Sequence, residues 1–260
     1  MVLGAAERVS GGDALEDASR RYEAERDPRK SSACWDLLRR DGPDLSQVRT
    51  IMDVGCGTGS FLDLARQSGL DTAGVEPAGR AAEASARKGH RVFRQSIQEP
   101  LPQQNCFDIA VMWDVLEHLS NPGLALRNVA ASLKPGGSLF ILTTLAGSVY
   151  DRMGALLYHL SGGRTDRLLR MCWSYDHVFR YDPQGLCNTL RHMGFTHVWS
   201  QKTLLLSLRA DTYAGGQLLA SWTGRPAVDH VISRSGVLLA KALRLHNKVL
   251  VRACWGGKHD

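Results

Sequence analysis

The chain has 260 residues, of which 43% are hydrophobic, and its formal net charge is +6. That length and apolar fraction suffice for one α/β domain with a sizeable core, and they exclude a disordered or low-complexity protein. The six cysteines are scattered without a CxxC pair, which argues against structural zinc and favours reduced thiols in the cytoplasm. The N-terminus has early acidic residues and no apolar run, so a signal peptide is not expected.

Strands and helices are predicted to alternate through most of the chain, after a polar lead-in with a helix at Cys34–Arg40. The predicted strands are short runs bounded by turn residues: Val48–Val54, Thr72–Glu76, Arg91–Arg94, Phe107–Trp113, Ser138–Thr143, Phe195–Gln201 and Lys248–Trp255. The predicted helices lie between them: Ser60–Gly69, Ala78–Lys88, Pro122–Leu133, Leu145–Arg170 and Pro183–Met193. This alternation is typical of a parallel sheet covered by helices on both faces.

The sharpest signal is the run Asp53-Val54-Gly55-Cys56-Gly57-Thr58-Gly59. A strand must turn abruptly into a helix here, and glycine tolerates both positive φ and a ligand close to the backbone. The helix that follows points its N-terminal amides toward such a ligand. The run is GxGxG rather than the GxGxxG of dinucleotide-binding folds, so a nicotinamide-dependent dehydrogenase is the less favoured interpretation.

A second signal is Glu76, in the run Gly74-Val75-Glu76-Pro77 at the end of the second predicted strand. A carboxylate at that point accepts hydrogen bonds from the ribose hydroxyls of a bound nucleoside. NAD and S-adenosylmethionine (SAM) both contain such a ribose, but SAM has no pyrophosphate and does not need the full phosphate-binding loop. SAM therefore fits this pair of motifs better.

The motifs DVGCGTG, VEP, FDIAVMWDVLEHL and LKPGG occur in that order and resemble the successive motifs of class I SAM-dependent methyltransferases. The resemblance implies a Rossmann-like, doubly wound α/β fold with a mostly parallel seven-stranded sheet and an antiparallel last strand. The expected division of the chain is a helical lead-in at 1–47, a core at 48–203 with a lid at about 145–182, a helical insertion at 204–247, and the last strand and tail at 248–260.

The resemblance also implies where SAM is held. Asp53 and the backbone of Gly55, Gly57 and Gly59 are expected near its methionine part. Glu76 is expected to bind its ribose, as the chemistry of a carboxylate at that strand end already indicates.

The adenine and the reactive end are assigned in the same way. Ser96 and Ile97 follow the third predicted strand and are expected near adenine, although Gln95 and Gln98 stand where the family often has an acidic residue. Trp113 ends the fourth predicted strand and is expected to cover SAM near its reactive end. The alternative for Trp113 is an ordinary core aromatic.

Asp114, Glu117 and His118 form the first candidate constellation for the reaction. On a helix, residues spaced i, i+3 and i+4 share one face. The run resembles the E-x-x-E-H of ubiquinone-biosynthesis O-methyltransferases, with Asp for the first Glu. This resemblance implies a Mg²⁺ ion that is chelated by a catechol acceptor. The favoured interpretation is a structural turn without a metal, with His118 as a candidate catalytic residue.

The second constellation lies in the run Trp173-Ser174-Tyr175-Asp176-His177-Val178-Phe179-Arg180-Tyr181, which again resembles the ubiquinone-type family. His177 has the proton affinity required of a general base; alternatively, it only ties the loop to the domain. Trp173, Tyr175, Arg180 and Tyr181 are predicted to shape the acceptor pocket.

Two segments carry amphipathic patterns. The lid combines apolar residues at Tyr150–Leu160 with the basic stretch Arg164–Arg170, and the insertion has apolar and basic faces over His230–Arg244. The favoured interpretation is packing on the domain or on a second copy as a homodimer, and the alternative is a peripheral contact with the inner face of a membrane. No nucleic-acid-binding module accompanies the charge, so nucleic acid is not an expected partner.

The sequence thus predicts a SAM-dependent methyltransferase that acts by in-line transfer, with an oxygen of a small-molecule, lipid-linked or glycan acceptor favoured. An oxygen nucleophile needs its proton removed, by a base or by a metal that lowers its pKa. An N- or C-methyltransferase of a natural product stays open, as does a non-catalytic SAM-binding partner subunit. The predicted location is the cytoplasm.

Overall fold

A computed structural model describes residues 28–163, 177–203 and 246–257 of the chain. Its helices are α1 (Pro28–Asp41), α2 (Ser60–Gln67), α3 (Gly79–Arg87), α4 (Pro122–Ser132), α5 (Val149–Leu160) and α6 (Pro183–His192). Its strands are β1 (Thr50–Val54), β2 (Asp71–Val75), β3 (Arg91–Phe93), β4 (Phe107–Trp113), β5 (Leu133–Thr144), β6 (Phe195–Thr203) and β7 (Lys248–Trp255).

The strands form one seven-stranded sheet in the order β3-β2-β1-β4-β5-β7-β6. Strands β1 to β5 pair in parallel, and β7 is antiparallel to both of its neighbours, β5 and β6. Strands β1 to β3 are added toward one edge of the sheet, and the strands from β4 onward are added toward the other edge, so the order reverses between β1 and β4. This topological switch point is where open α/β sheets bind ligands, beyond the carboxyl ends of the strands. The predicted fold class is confirmed.

Helices cover both faces of the sheet because successive strand residues point to opposite sides. On one face, Leu38 of α1 and Phe61 of α2 pack against Trp113 and neighbouring strand residues. On the other, Leu126 of α4 and Leu190 of α6 belong to the larger core cluster. Full burial of such side chains contributes about 1.5–3 kcal/mol each to folding, so the central strands form a rigid platform for the loops at their ends.

One difference from the predicted element bounds is at the start of β5. The strand begins at Leu133 rather than at Ser138, because Leu133 already pairs with Phe107. The register then shifts, and Ser138 pairs with Ile109. Residues 134–137 therefore form a bulge, in which Gly136 adopts φ 81°, a conformation that favours glycine.

The predicted lid is described only in part. Its first section contains α5, as expected, and α1 is longer than predicted, since it begins at Pro28. Residues 1–27, 164–176 and 204–245, which include most of the predicted insertion, lie outside the described residues. Within the described ranges, no helix combines the length and apolar character needed to cross a bilayer.

Candidate active site

The carboxyl ends of the parallel strands bring the predicted site residues to one edge of the sheet. Gly55 follows β1, Glu76 follows β2 and Asp114 follows β4. Lys248 lies at the same edge, because the antiparallel β7 begins there and pairs Lys248 with Thr144 at the end of β5. The edge is therefore assembled from four strands, of which β7 is far from the other three in the sequence.

The glycine loop after β1 has the backbone conformation that the sequence predicts. Gly55, Gly57 and Gly59 all have positive φ, at 73°, 52° and 79°. The sequence suggested that a side chain in this loop would collide with a ligand. At two of these glycines, a side chain would collide with the protein itself. A Cβ on Gly55 would lie 2.5 Å from Val115 Cγ2, and one on Gly59 would lie 2.5 Å from Ser85 Oγ. The loop is thus packed against neighbouring elements as well as open toward a ligand.

Glu76 is buried at the centre of this loop. Its Oε2 accepts a hydrogen bond from the Gly57 N–H at 2.8 Å, and its Oε1 accepts one from the Ala78 N–H at 2.9 Å. Each carboxylate oxygen has a second lone pair, so both can still accept a hydrogen bond from a ribose hydroxyl. The carboxylate therefore fits a nucleoside and also fixes the loop that surrounds it.

Asp53 and Trp113 lie on the sheet face covered by α1. Asp53 is 2% exposed. Burial is the main cause that raises the pKa of the Cys34 thiol on α1 to about 12, and the Asp53 charge also contributes to this rise. The Trp113 ring is 5.5 Å from the Phe61 ring, centroid to centroid. Trp113 is therefore partly the core aromatic of the alternative interpretation, but its Nε1 is buried without a hydrogen-bond partner.

The loop after β3 is organised by its own polar side chains. Ser96 Oγ accepts from the Gln98 N–H, and the Ser96 N–H donates to Glu99 Oε1 at 3.3 Å. Ile97 is 3% exposed and belongs to the core cluster on the α4 face. Glu99 is an acidic residue at this loop that the sequence analysis did not consider, since it compared only positions adjacent to Ser96 and Ile97.

The segment after β4 is not the helix that the i, i+3, i+4 argument assumed. Leu116–His118 is a 3-10 turn, and Asp114 adopts φ 55°. Asp114 instead pairs with two ammonium groups, Lys248 Nζ and Lys30 Nζ, each at 2.7 Å. Burial opposes ionisation here, but the two lysines outweigh it and hold the pKa of Asp114 well below its ordinary value.

Lys30 and Lys248 are site residues that the sequence analysis missed. Both are far from Asp114 in the sequence, Lys248 by 134 residues, and neither belongs to a motif. The only available signal was that each is a lysine next to an apolar element that covers the carboxyl edge of the sheet. Their contact with one carboxylate depends on the tertiary fold.

Glu117 is fully buried and joins two parts of the site. Its Oε2 accepts a hydrogen bond from the Thr143 hydroxyl at 2.8 Å, and burial together with the Asp114 charge raises its pKa. Its backbone carbonyl accepts hydrogen bonds from the N–H groups of Val178 and Phe179 at 2.8 and 3.1 Å. The lid segment that carries His177 is therefore fastened to the turn that carries His118.

The two predicted histidines meet across this junction. The His118 and His177 ring centroids are 4.8 Å apart, with the rings 65° from coplanar, and both residues are half-buried. Glu117, His118 and His177 each offer one potential metal-ligand atom, and these atoms lie within 4.8 Å of one another. Asp114, which the sequence pattern grouped with Glu117 and His118 as a metal set, is paired with the lysines instead.

Two of the predicted acceptor residues are described. Arg180 forms an ion pair with Asp151, and the Tyr181 hydroxyl donates to the Leu116 carbonyl at 3.0 Å. Both line a cavity of about 330 Å³ between the N-terminal ends of α4 and α6. Burial, with the Glu117 charge, raises the pKa of Tyr181 above its usual range, so Tyr181 is a neutral donor. Trp173 and Tyr175 lie outside the described residues.

A glycine loop, a buried carboxylate beside it and a topological switch point are typical of nucleoside-binding α/β folds. A family model described as "Methyltransferase domain" matches residues 22–201. The chain belongs to this family of methyltransferase domains.

Relatives and a solved structure agree with this assignment. The chain is 36% identical over 106 residues to a ubiquinone biosynthesis O-methyltransferase of Bradyrhizobium sp., covering 39% of this chain and 41% of that protein. A protein of the same name from Azorhizobium caulinodans is 27% identical over 72% of this chain and 68% of its own length. A SAM-dependent methyltransferase from Archaeoglobus fulgidus has the same fold, with a TM-score of 0.56 and 19% identity over 86% of this chain and 94% of that one. The match to the first of these relatives thus spans less than half of its length.

Proposed function

We propose that the chain methylates an oxygen atom of a small, largely apolar or lipid-linked acceptor, with His177 as the general base and His118 beside it. The observation that carries this proposal is the imidazole pair with ring centroids 4.8 Å apart at the carboxyl edge of the sheet. Imidazole is the side chain best suited to accept a proton near neutral pH. The relatives named above are O-methyltransferases, which agrees with this choice of acceptor atom.

The residues at the cofactor end hold and orient the methyl donor. Glu76 accepts hydrogen bonds from the ribose hydroxyls, and the glycine loop lets the donor lie against the backbone. When bound, SAM supplies a methyl group on a sulfonium centre, which is already a good leaving group. The contribution required of the protein is therefore mostly alignment of the acceptor and removal of its proton.

The residues at the acceptor end have the properties that this chemistry needs. Hydrogen bonds from Val178 and Phe179 to the Glu117 carbonyl fix the histidine segment at the edge of the sheet. The Asp114 carboxylate is neutralised by Lys30 and Lys248, so it does not compete with the imidazoles for the acceptor proton. A base held in one position contributes about 100- to 10,000-fold to a proton-transfer step.

Exposed apolar side chains around the lid favour an apolar or lipid-linked acceptor. Leu156 and Leu160 are 58% and 74% exposed on α5, and Val178 is 57% exposed beside His177. Leu156 and Leu160 are spaced i, i+4 and so share one helix face. A bilayer surface or the tail of a lipid-linked acceptor would cover this apolar surface, whereas a sugar acceptor would not.

A divalent metal is a second candidate for lowering the pKa of the acceptor hydroxyl. It is favoured by the three ligand atoms of Glu117, His118 and His177, which lie within 4.8 Å of one another. Two of these donors are imidazole nitrogens, which suit zinc or another transition metal better than Mg²⁺. The Mg²⁺ set with Asp114 is a poorer fit because that carboxylate is committed to two lysines.

The test is methyl transfer from radiolabelled SAM to a panel of phenols, sugars and amines, with and without liposomes. We expect phenols with apolar tails to be methylated on oxygen, and His177→Asn to lose the activity while SAM affinity is retained. His192→Asn, at an exposed position on α6, is the matched control. Methylation of amines alone would refute the proposal. If chelator abolishes transfer and zinc restores it, the histidines act as ligands rather than as bases.

A further inference from the structure

Trp113 presents a hydrogen-bond donor that has no acceptor among the residues that the structure describes. The residue is 7% exposed, and its indole Nε1 is buried without a partner. A buried donor without a partner costs about 1–3 kcal/mol, so such a group is typically kept for a ligand or a water molecule. The ring itself is fixed, because it packs on Phe61, which in turn packs on Trp35.

The position of Trp113 along the sheet indicates which part of SAM would lie beside it. Glu76 follows β2 and is assigned to the ribose, while Trp113 ends β4, two strands away across β1. Neighbouring strands are about 4.8 Å apart, so the two strand ends are separated by about 10 Å. Along SAM, the sulfonium and then the amino acid group follow the ribose, and it is this methionine end that reaches the end of β4.

The face of the sheet on which Trp113 lies indicates which group of the methionine end is closest to it. Trp113 lies on the face covered by α1 and α2, whereas the Leu116 and Tyr181 side chains beside the histidine pair belong to the opposite face. The methyl group must point toward the acceptor, on the histidine side. The amino acid group is then directed to the side of the sheet on which Trp113 lies. Asp53 lies on the same side, on the neighbouring strand β1, level with the β4 residue two positions before Trp113.

We infer that the indole N–H of Trp113 donates a hydrogen bond to the carboxylate of the methionine part of SAM. An indole N–H only donates, and at this end of SAM the ammonium and the sulfonium offer no acceptor. The carboxylate is the one acceptor within this part of the cofactor. The Asp53 carboxylate on the same face is complementary to the ammonium group. The Trp113 N–H and the Asp53 carboxylate together match the carboxylate and the ammonium of an amino acid. The inference depends on SAM occupying the site as proposed above.

The test compares two ligands that differ in the amino acid group. S-adenosylhomocysteine carries the carboxylate, and 5′-methylthioadenosine has the same nucleoside without it. For Trp113→Phe, calorimetry should show S-adenosylhomocysteine binding weakened by about 10- to 100-fold, the value of one hydrogen bond to a charged group. The affinity for 5′-methylthioadenosine should not change. Trp199→Phe, on the edge strand at 42% exposure, is the matched control and should bind both ligands as the wild type does.

A second measurement on the unmodified protein guards against repacking in the variant. With ¹⁵N-labelled tryptophan, the indole signal that is missing in Trp113→Phe identifies Trp113. That signal should move downfield with S-adenosylhomocysteine and much less with 5′-methylthioadenosine. Equal loss of affinity for both ligands, or an indole signal that responds to both alike, would overturn the inference while leaving SAM binding intact. If the wild type binds neither ligand, the proposed function falls as well.

Discussion

The cofactor end and the acceptor end of the site are built in different ways. At the cofactor end, Gly57 and Glu76 lie within a short stretch of chain, and backbone N–H groups hold the carboxylate. At the acceptor end, the hydrogen bonds that join Lys248 to Asp114 and Glu117 span 134 and 131 residues. Local sequence therefore specifies the first region, while the second exists only after β7 has joined the sheet. The predictions below test this contrast, from the largest expected effect to the smallest.

The largest expected effect is on turnover at the acceptor end. His177→Asn should lower the methyl-transfer rate by about 100-fold or more, because a positioned base is lost. Isothermal titration should show unchanged affinity for S-adenosylhomocysteine, since the variant leaves the glycine loop intact. Equal losses of rate and cofactor affinity would mean that the two ends are not separate.

The complementary change at the cofactor end is Glu76→Ala. Removing a carboxylate that accepts from ribose and from the Gly57 N–H should weaken SAM binding by about 100-fold, the value of two charge-assisted hydrogen bonds counted conservatively. Glu83→Ala, on the exposed surface of α3, is the control and should bind SAM normally. Unchanged SAM affinity in Glu76→Ala would remove the ribose assignment.

Lys248→Met tests whether the acceptor end depends on its long-range ion pairs. Loss of one ammonium from a nearly buried pair should lower the free energy of unfolding at neutral pH by about 1–3 kcal/mol, since Lys30 still pairs with Asp114. Because the pKa of Asp114 is held below its ordinary 3.8, this stabilisation is present above that pH and is lost as the pH falls below it.

The difference between Lys248→Met and the wild type should therefore shrink in acid, as measured by urea unfolding at several pH values. Lys202→Met, at an exposed position of β6, should be nearly neutral throughout. A deficit that stays constant down to low pH would indicate lost packing of the lysine stem rather than a lost ion pair.

A smaller effect is expected at the opposite edge of the sheet, away from both ends of the site. Partial burial tends to raise the pKa of Asp108, but the Lys134 ammonium and the N–H groups of Arg49 and Thr50 lower it to about 2. Asp108→Asn should cost about 1–2 kcal/mol of stability above pH 4, and the cost should vanish as the pH falls through about 2.

SAM affinity should not change in Asp108→Asn, because the residue is remote from the glycine loop. Asp36→Asn, at an exposed position of α1, provides the control for loss of one surface charge. A pH-independent deficit in Asp108→Asn would assign the effect to shape rather than to charge.

The exposure of the lid can be tested with Leu156→Ser combined with Leu160→Ser. Both side chains lie on the exposed face of α5, so the stability of the fold should change little. If the acceptor is membrane-presented, the apparent KM with acceptor in liposomes should rise several-fold while the rate on a water-soluble analogue stays the same. If the variant matched the wild type on both the liposome-bound and the water-soluble acceptor, this surface would have no role in membrane contact.

Much of the sheet was predictable because hydrophobic runs and turn residues are local signals. Phe107–Trp113 and Lys248–Trp255 have the predicted bounds, and the glycine loop has the expected positive φ. The favoured interpretation of Asp114, Glu117 and His118 as a structural turn agrees with the 3-10 turn at Leu116–His118, whereas the helix assumed in the metal alternative is not formed there. Asp114 instead leaves the helical region, at φ 55°, where two lysines bind its carboxylate.

The sequence by itself determined the class of the fold and the end of the sheet at which the glycine loop lies. Those features depend on strand periodicity and on glycines whose conformational freedom is an intrinsic property of the residue. Only the tertiary structure decided that Lys30, Asp114 and Lys248 form one ion-pair cluster, that His118 meets His177, and that the Trp113 N–H has no partner in the described part of the chain. Contacts between segments so far apart in the chain are set by packing and burial, which no local pattern encodes.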